Sequence, residues 1–163
     1  MGITFSTTEV LEMAEKMERD GASFYRKAAE RFQNAYVQKL FTELVEWENK
    51  HEELFAGMRE RLRRADEQAG DLGSDDDLVV YSQAMKGLDV FGAKTDPARQ
   101  LTGTEGIKDV LKKAIVKEKD SIVFYSALKA FVPSQAGRET IDDIIKEETH
   151  HIRILNQSLQ ALM

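Results

Sequence analysis

An internal repeat constrains the fold most strongly, because two stretches of the sequence recur at an offset of one hundred residues. Residues 17–25 align with 117–125, and residues 43–51 align with 143–151. A glutamate followed by a Phe-Tyr pair recurs in the first stretch, and a Glu-x-x-His recurs in the second. Because one offset aligns both stretches, the sequence predicts two similar halves related by a pseudo-twofold axis, at which matching residues meet.

Each half reads as a helical hairpin. Apolar residues recur at helical spacing over 7–32, 34–64, 104–131 and 134–162. Ser6 to Glu9 form a capping signal where the first helix starts. Pro133 ends the third helix, because the residue before proline avoids the helical region. The helices of each pair are joined by so few residues that they must lie antiparallel. Only two prolines occur, which also suits an all-α chain.

The sequence predicts a single domain over 1–163, with one long connection between the hairpins. The first hairpin spans 7–64, the crossover 65–103 and the second hairpin 104–162. The crossover opens polar and acidic and then turns apolar at Leu78–Met85, where we expect a short helix. A four-helix bundle with one long crossover accounts for a connection of this length.

Charge and composition exclude several functions. The net charge of −6 argues against nucleic-acid binding, which needs a basic face. No apolar run is long enough to span a membrane, and residues 1–8 do not resemble a signal peptide, so we expect a cytoplasmic protein. The sequence has no cysteine, so any metal must be held by nitrogen and oxygen.

Four carboxylates and two imidazoles are predicted to form a metal site between the helices. Positions three apart share a helix face, so Glu48 points with His51, and Glu148 points with His151. Four carboxylates facing a bundle interior would be costly without cations, and two divalent ions would neutralise them. The predicted ligands, whose carboxylates would also be the catalytic groups, are Glu18, Glu48, His51, Glu118, Glu148 and His151.

Two further pairs of matched residues are predicted to support the site. Tyr25 and Tyr125 lie two turns beyond a ligand glutamate, and their hydroxyls are predicted to hydrogen-bond a ligand carboxylate of a neighbouring helix. Buried tyrosines with some other partner are the alternative. Gly21 and its counterpart Ser121 are predicted to leave space beside the metals for a small oxidant.

One ambiguity of register concerns a second Glu-x-x-His, formed by Glu147 and His150. His151 lies seven residues after Ile144 and four before Leu155, which favours the buried side for His151. We therefore predict that Glu147 and His150 are surface residues.

With these residues, the chain resembles the rubrerythrin branch of the ferritin-like superfamily over both hairpins. The resemblance implies a ferritin-like four-helix bundle with two iron ions, for which manganese or zinc are possible substitutes, and reaction with hydrogen peroxide or dioxygen. It also implies a homodimer or larger oligomer. In such a site Glu48 and Glu148 would bridge the two irons, Glu18 and Glu118 would each be a terminal ligand, and each iron would bind one histidine.

The chain departs from that family in two respects. Rubrerythrins typically carry a cysteine-rich rubredoxin module, so a chain without cysteine would need an external redox protein, or ferrous iron itself, as the electron donor. They also have a second glutamate at the position of Ser121, and its replacement makes this site more symmetric, like a ferroxidase centre.

The predicted function is an oxidoreductase, a rubrerythrin-like peroxidase or ferroxidase with a role in oxidative stress. Two alternatives remain open at this point: iron binding or sequestration without significant turnover, and a metal-free structural bundle.

Overall fold

The computed structural model describes residues 5–69 and 101–162, and these residues form four α-helices and no strand. Two antiparallel hairpins pair α1 with α2 and α3 with α4. The all-α four-helix prediction is confirmed. The helices are α1 (Thr7–Arg31), α2 (Ala35–Ala69), α3 (Ile107–Leu128) and α4 (Gln135–Ala161).

Local signals explain where these helices begin and end. Ser6 and Glu9 form the predicted capping box at the start of α1, and the Ser134 hydroxyl accepts a hydrogen bond from the Gly137 amide at the start of α4. The second helix is longer than predicted, continuing past Arg64 to Ala69. The third ends at Leu128, ahead of the predicted end at Phe131, because a tight turn precedes Pro133.

Two apolar clusters fill the bundle, one toward each end. The first contains the start of α1, the end of α2, the end of α3 and the start of α4. The second contains the opposite end of each of these helices. The end of α2 and the start of α3 therefore lie at opposite ends of the bundle, as a long crossover requires. The short helix predicted at Leu78–Met85 lies outside the described residues.

The buried polar side chains lie between the two apolar clusters. Along α1, Ala14 belongs to the first cluster and Phe24 to the second, and Glu18 falls between them. Along α4, Ile144 and Leu155 bracket the second Glu-x-x-His in the same way. Apolar packing on both sides therefore holds a polar layer at mid-height. Within the described residues, no helix is long and apolar enough to cross a membrane.

Candidate metal centre

All six predicted ligands meet in this polar layer. Helices α1 and α3 contribute one ligand each, and helices α2 and α4 contribute two each. None is more than 1% exposed to solvent. Burial of four carboxylates within one layer is costly unless cations or protons compensate their charge. Their convergence makes the layer the candidate functional site. The buried side chains are Glu18, Glu48, His51, Glu118, Glu148 and His151.

Glu148 lies at the centre of the cluster because each of its oxygens contacts a different histidine. Its Oε1 is 3.1 Å from Nδ1 of His51, and its Oε2 is 2.9 Å from Nδ1 of His151. The first contact joins α4 to α2, whereas the second follows from the i, i+3 spacing within α4. A carboxylate placed between two imidazoles in this way can bridge two cations.

The ligand atoms form two groups that share Glu148. One group consists of Glu18, His51 and Glu148, and we call it the first position. The other consists of Glu48, Glu118, Glu148 and His151, and we call it the second position. Within each group the ligand atoms lie within 4.8 Å of one another, which is close enough to surround one ion. The cluster therefore contains two overlapping positions for a metal.

Several buried ligand atoms lack a protein partner, and this is the structural test of whether a metal fits. Glu18 Oε2, Glu48 Oε1 and Glu118 Oε2 have no hydrogen-bond partner among the described residues. Buried polar groups are normally hydrogen-bonded, so three such carboxylate oxygens in one cluster require an explanation. Oxygen and imidazole ligands in this number suit iron or manganese, and the residues fit a pair of such ions.

Burial raises the pKa of most of the carboxylates. Burial and the neighbouring Glu148 raise the pKa of Glu18, and burial raises that of Glu48 well above its usual range despite the nearby Lys117 ammonium. For Glu148, burial and the charge of Glu118 raise the pKa to about 7. Burial would also raise the pKa of Glu118, but Lys117 lowers it below its usual range. Without a metal, the cluster therefore retains protons.

The two histidines behave in the opposite way. Burial would lower their pKa values, but hydrogen bonds to carboxylates outweigh it. Glu148 and Glu18 raise the pKa of His51 to about 11, and Glu118 and Glu148 raise that of His151 to about 10. Each imidazole is therefore charged at neutral pH when no metal is bound, and a metal ion must displace that proton to bind it.

Two tyrosines connect the hairpins through the terminal carboxylates. The Tyr25 hydroxyl donates a hydrogen bond to Glu118, and the Tyr125 hydroxyl donates one to Glu18. Both phenols are fully buried, and burial raises their pKa well above the usual value, so they remain donors. The contacts are those predicted for these residues, while their effect on a bound metal stays a prediction.

Sequence analysis did not identify Lys117, which enters the cluster from α3. Its side chain is 9% exposed, and its Nζ lies 2.8 Å from Glu48 Oε2. A Cβ on Gly21 would collide with both Lys117 and Glu48, so the space predicted there for an oxidant is filled by these two side chains. The available signal was Gly21 itself, because a glycine inside a helix marks close approach by another group.

The prediction for Glu147 was wrong, because Glu147 is half-buried and contacts the cluster. Its Oε2 lies 2.7 Å from Nε2 of His51. A carboxylate only accepts, so Nε2 carries a proton and Nδ1 faces the ligand carboxylates. His150 is exposed, as predicted. The sequence prediction compared Glu147 only with residues of its own helix, α4. Its hydrogen-bond partner, His51, lies on α2.

His151 has no equivalent partner, because the residue matching Glu147 is Trp47. The Trp47 ring lies 5.8 Å from the His151 ring, centroid to centroid, and Nε2 of His151 has no hydrogen-bond partner among the described residues. The two imidazoles therefore occupy matched positions in unlike surroundings.

The bundle has the ferritin-like four-helix fold that the sequence predicted, and the buried carboxylate–histidine layer lies at its centre. The model of the rubrerythrin family matches residues 9–76, which confirms the predicted resemblance over the first hairpin. A crystal structure from Thermotoga maritima, described as that of a ferritin-like diiron-carboxylate protein, is 26% identical, with a TM-score of 0.69. The match covers 98% of each chain. No curated protein matches the sequence.

Proposed function

We propose that this chain is a non-haem di-iron carboxylate protein that reacts with hydrogen peroxide or dioxygen, reducing peroxide or oxidising ferrous iron. The observation that carries the proposal is Glu148, whose two oxygens contact the two histidines and which belongs to both ligand groups. The Thermotoga maritima protein, described as a diiron-carboxylate protein, supports the choice of iron. Manganese or zinc could bind the same ligands.

Each iron would be held by its own imidazole and by carboxylates, of which Glu148 would serve both ions. The first position offers Glu18, His51 and Glu148, and the second adds Glu48 and Glu118 to Glu148 and His151. When bound, the iron pair would supply the electrons that reduce the oxidant. The four carboxylates would balance the charge of two divalent ions, which explains why these side chains are buried together.

The chain's own residues orient the ligands and exclude water. Tyr25 and Tyr125 keep their hydroxyl protons and donate hydrogen bonds to Glu118 and Glu18, which leaves the second oxygen of each carboxylate for a metal. Glu147 holds the Nε2 proton of His51 and directs Nδ1 toward the site. The apolar clusters on both sides of the layer limit access by solvent.

An external electron donor is part of the proposal. The sequence has no cysteine for an iron–sulfur relay of its own. A redox protein or ferrous iron would therefore return the site to its reduced state. The small Ser121, which is 2% exposed, supports the symmetric type of site found in ferroxidases.

We also propose a homodimer or larger homo-oligomer. Val116 and Val123 lie seven residues apart on α3, on one helix face, and are 56% and 54% exposed. An exposed apolar face of this kind supports self-association. Sedimentation would detect it, and a strictly monomeric protein would contradict it.

The direct test is an anaerobic ferrous-iron titration of metal-free protein, followed by peroxide or air, with absorption and iron oxidation recorded. We expect saturation near two irons per chain and loss of oxidation in Glu118→Ala. The exposed Glu53→Ala on α2 is the matched control, and it should behave as the wild type does. Oxidation of ferrous iron by Glu118→Ala at the wild-type rate would show that the site assignment is wrong.

The same experiment separates the alternatives. Iron that binds without multiple turnovers of peroxide or dioxygen would indicate sequestration in place of catalysis. No binding, together with unchanged thermal stability after a chelator, would indicate a structural bundle.

A further inference from the structure

Glu48 and Glu148 occupy matched positions, yet they do not make matched contacts. Glu148 belongs to both metal positions, whereas Glu48 belongs to the second position alone. The pseudo-twofold relation would place a Glu48 oxygen beside Glu18 and His51, completing the first position with a fourth ligand. One Glu48 oxygen, Oε2, lies instead 2.8 Å from Nζ of Lys117.

A close helix approach allows Lys117 to reach Glu48. The lysine leaves α3 next to Glu118 and passes Gly21 on α1, where any Cβ would collide with it. Its Nζ lies 5.2 Å from the centroid of the Tyr25 ring. Gly21, the Glu48 carboxylate and the face of the Tyr25 ring therefore surround the ammonium, and the lysine side chain is only 9% exposed.

The other half of the bundle has no such cation. The residue matching Lys117 is Met17, and the residue matching Gly21 is Ser121. Met17 packs against the first apolar cluster and carries no charge. The ammonium is therefore present at only one of the two equivalent places.

We propose that Lys117 makes the two metal positions unequal, so that the second position fills first and the first fills only when Lys117 releases Glu48. The inference rests on the proposed binding of metal at this site. An ammonium paired with Glu48 occupies the oxygen that the first position lacks. Lys117 is a positioning residue, since it acts through Glu48.

The test is an anaerobic titration of metal-free protein with Co²⁺ alone, followed by its visible absorption bands and by calorimetry. The wild type should bind two ions in separate steps, whose affinities differ by about tenfold or more. Lys117→Met, which installs the residue found at position 17, should bring the two affinities together. Lys119→Met removes the same charge from an exposed position of α3 and should preserve the two steps.

A second variant protects the test against a folding defect in Lys117→Met. Lys117→Gln keeps a hydrogen-bond donor on a side chain one atom shorter but removes the charge, and it should also reduce the separation between the steps. Circular dichroism would verify the helical content of both variants. Glu18→Ala should remove the weaker step and leave the tighter one, because Glu18 belongs to the first position alone.

Two results would overturn the inference while leaving the proposed metal binding intact. One is equal affinity of both ions for the wild type, and the other is an unchanged separation in both Lys117 variants. A protein that binds no metal would overturn the proposed function as well, so the two failures are distinguishable.

Discussion

The two hairpins present the same ligands in different electrostatic surroundings. Each contributes a lone glutamate and a Glu-x-x-His, and the tyrosine of each hairpin bonds a glutamate of the other. Around these residues the hairpins differ, because Lys117 and Glu147 belong to the second hairpin, where the first has Met17 and Trp47. A repeated backbone and ligand set can thus hold two metal positions whose ligand number and chemical surroundings differ.

The two hairpins also differ in the side chains that pack between their helices. Glu15 is 4% exposed and pairs with Arg59, whose Nη2 lies 3.0 Å from its Oε2. The matching residues in the second hairpin are Ile115 and Leu159, which pack within the second apolar cluster. At this position the first hairpin therefore has an ion pair, whereas the second hairpin has apolar side chains.

The largest expected effect comes from removing the carboxylate that both positions share. Glu148→Ala should lose both metals, whereas Glu18→Ala should lose one, because only Glu148 belongs to both groups. Metal analysis of anaerobically loaded and desalted protein measures the ratio of metal to chain. A Glu148→Ala protein that retained two ions would remove the basis for treating this residue as a bridge.

Proton release should be the next largest effect. His51 and His151, with pKa values of about 11 and 10, are protonated in the metal-free protein near neutral pH, and Glu148 titrates at about 7. A metal requires the unprotonated groups, so its binding releases protons and its apparent affinity rises with pH. The slope should be about tenfold per pH unit for each proton released.

Calorimetry in buffers of different ionisation enthalpy counts these protons, and titrations between about pH 6 and about pH 8 give the slope. An affinity independent of pH over this window would mean that the site is already deprotonated without metal.

A smaller effect is expected from the partner of one histidine. Glu147→Gln should weaken the first position by about tenfold, since a neutral amide makes His51 less basic than a carboxylate does. The stepwise titration should show the change in the weaker step alone. The exposed Glu46→Gln on α2 is the control. Equal weakening of both steps would contradict a role confined to His51.

The smallest expected effect is on stability. Arg59→Leu should destabilise the metal-free protein by about 1–3 kcal/mol, because it leaves the buried Glu15 carboxylate without its partner. Arg59 is itself 36% exposed, so the value should fall toward the lower end.

Glu15→Ile combined with Arg59→Leu copies the second hairpin and should recover most of the loss, since an apolar pair can replace a buried ion pair. Equilibrium unfolding in urea measures both variants. If the double variant were less stable than Arg59→Leu, the two hairpins would not be interchangeable at this contact.

The ligands could be predicted from the sequence because each is a local pattern that recurs. Glu48 and His51 face the same way on any helix, and the recurrence at 148 and 151 distinguishes the pattern from a solvated face. The contacts of Glu147 and Lys117 could not be predicted in this way. Each depends on a residue of another helix, and the distance between helices is not encoded in the spacing along one.

By itself, the sequence determined the four helices, the two hairpins, the long connection and the six ligand side chains, since these follow from periodicity, capping and an internal repeat. Only the tertiary structure decided that Lys117 passes Gly21 to reach Glu48, and that Glu147 of α4 reaches His51 of α2. The physical reason is that helical periodicity specifies which side chains share a face, while the packing of the helices decides which of them touch.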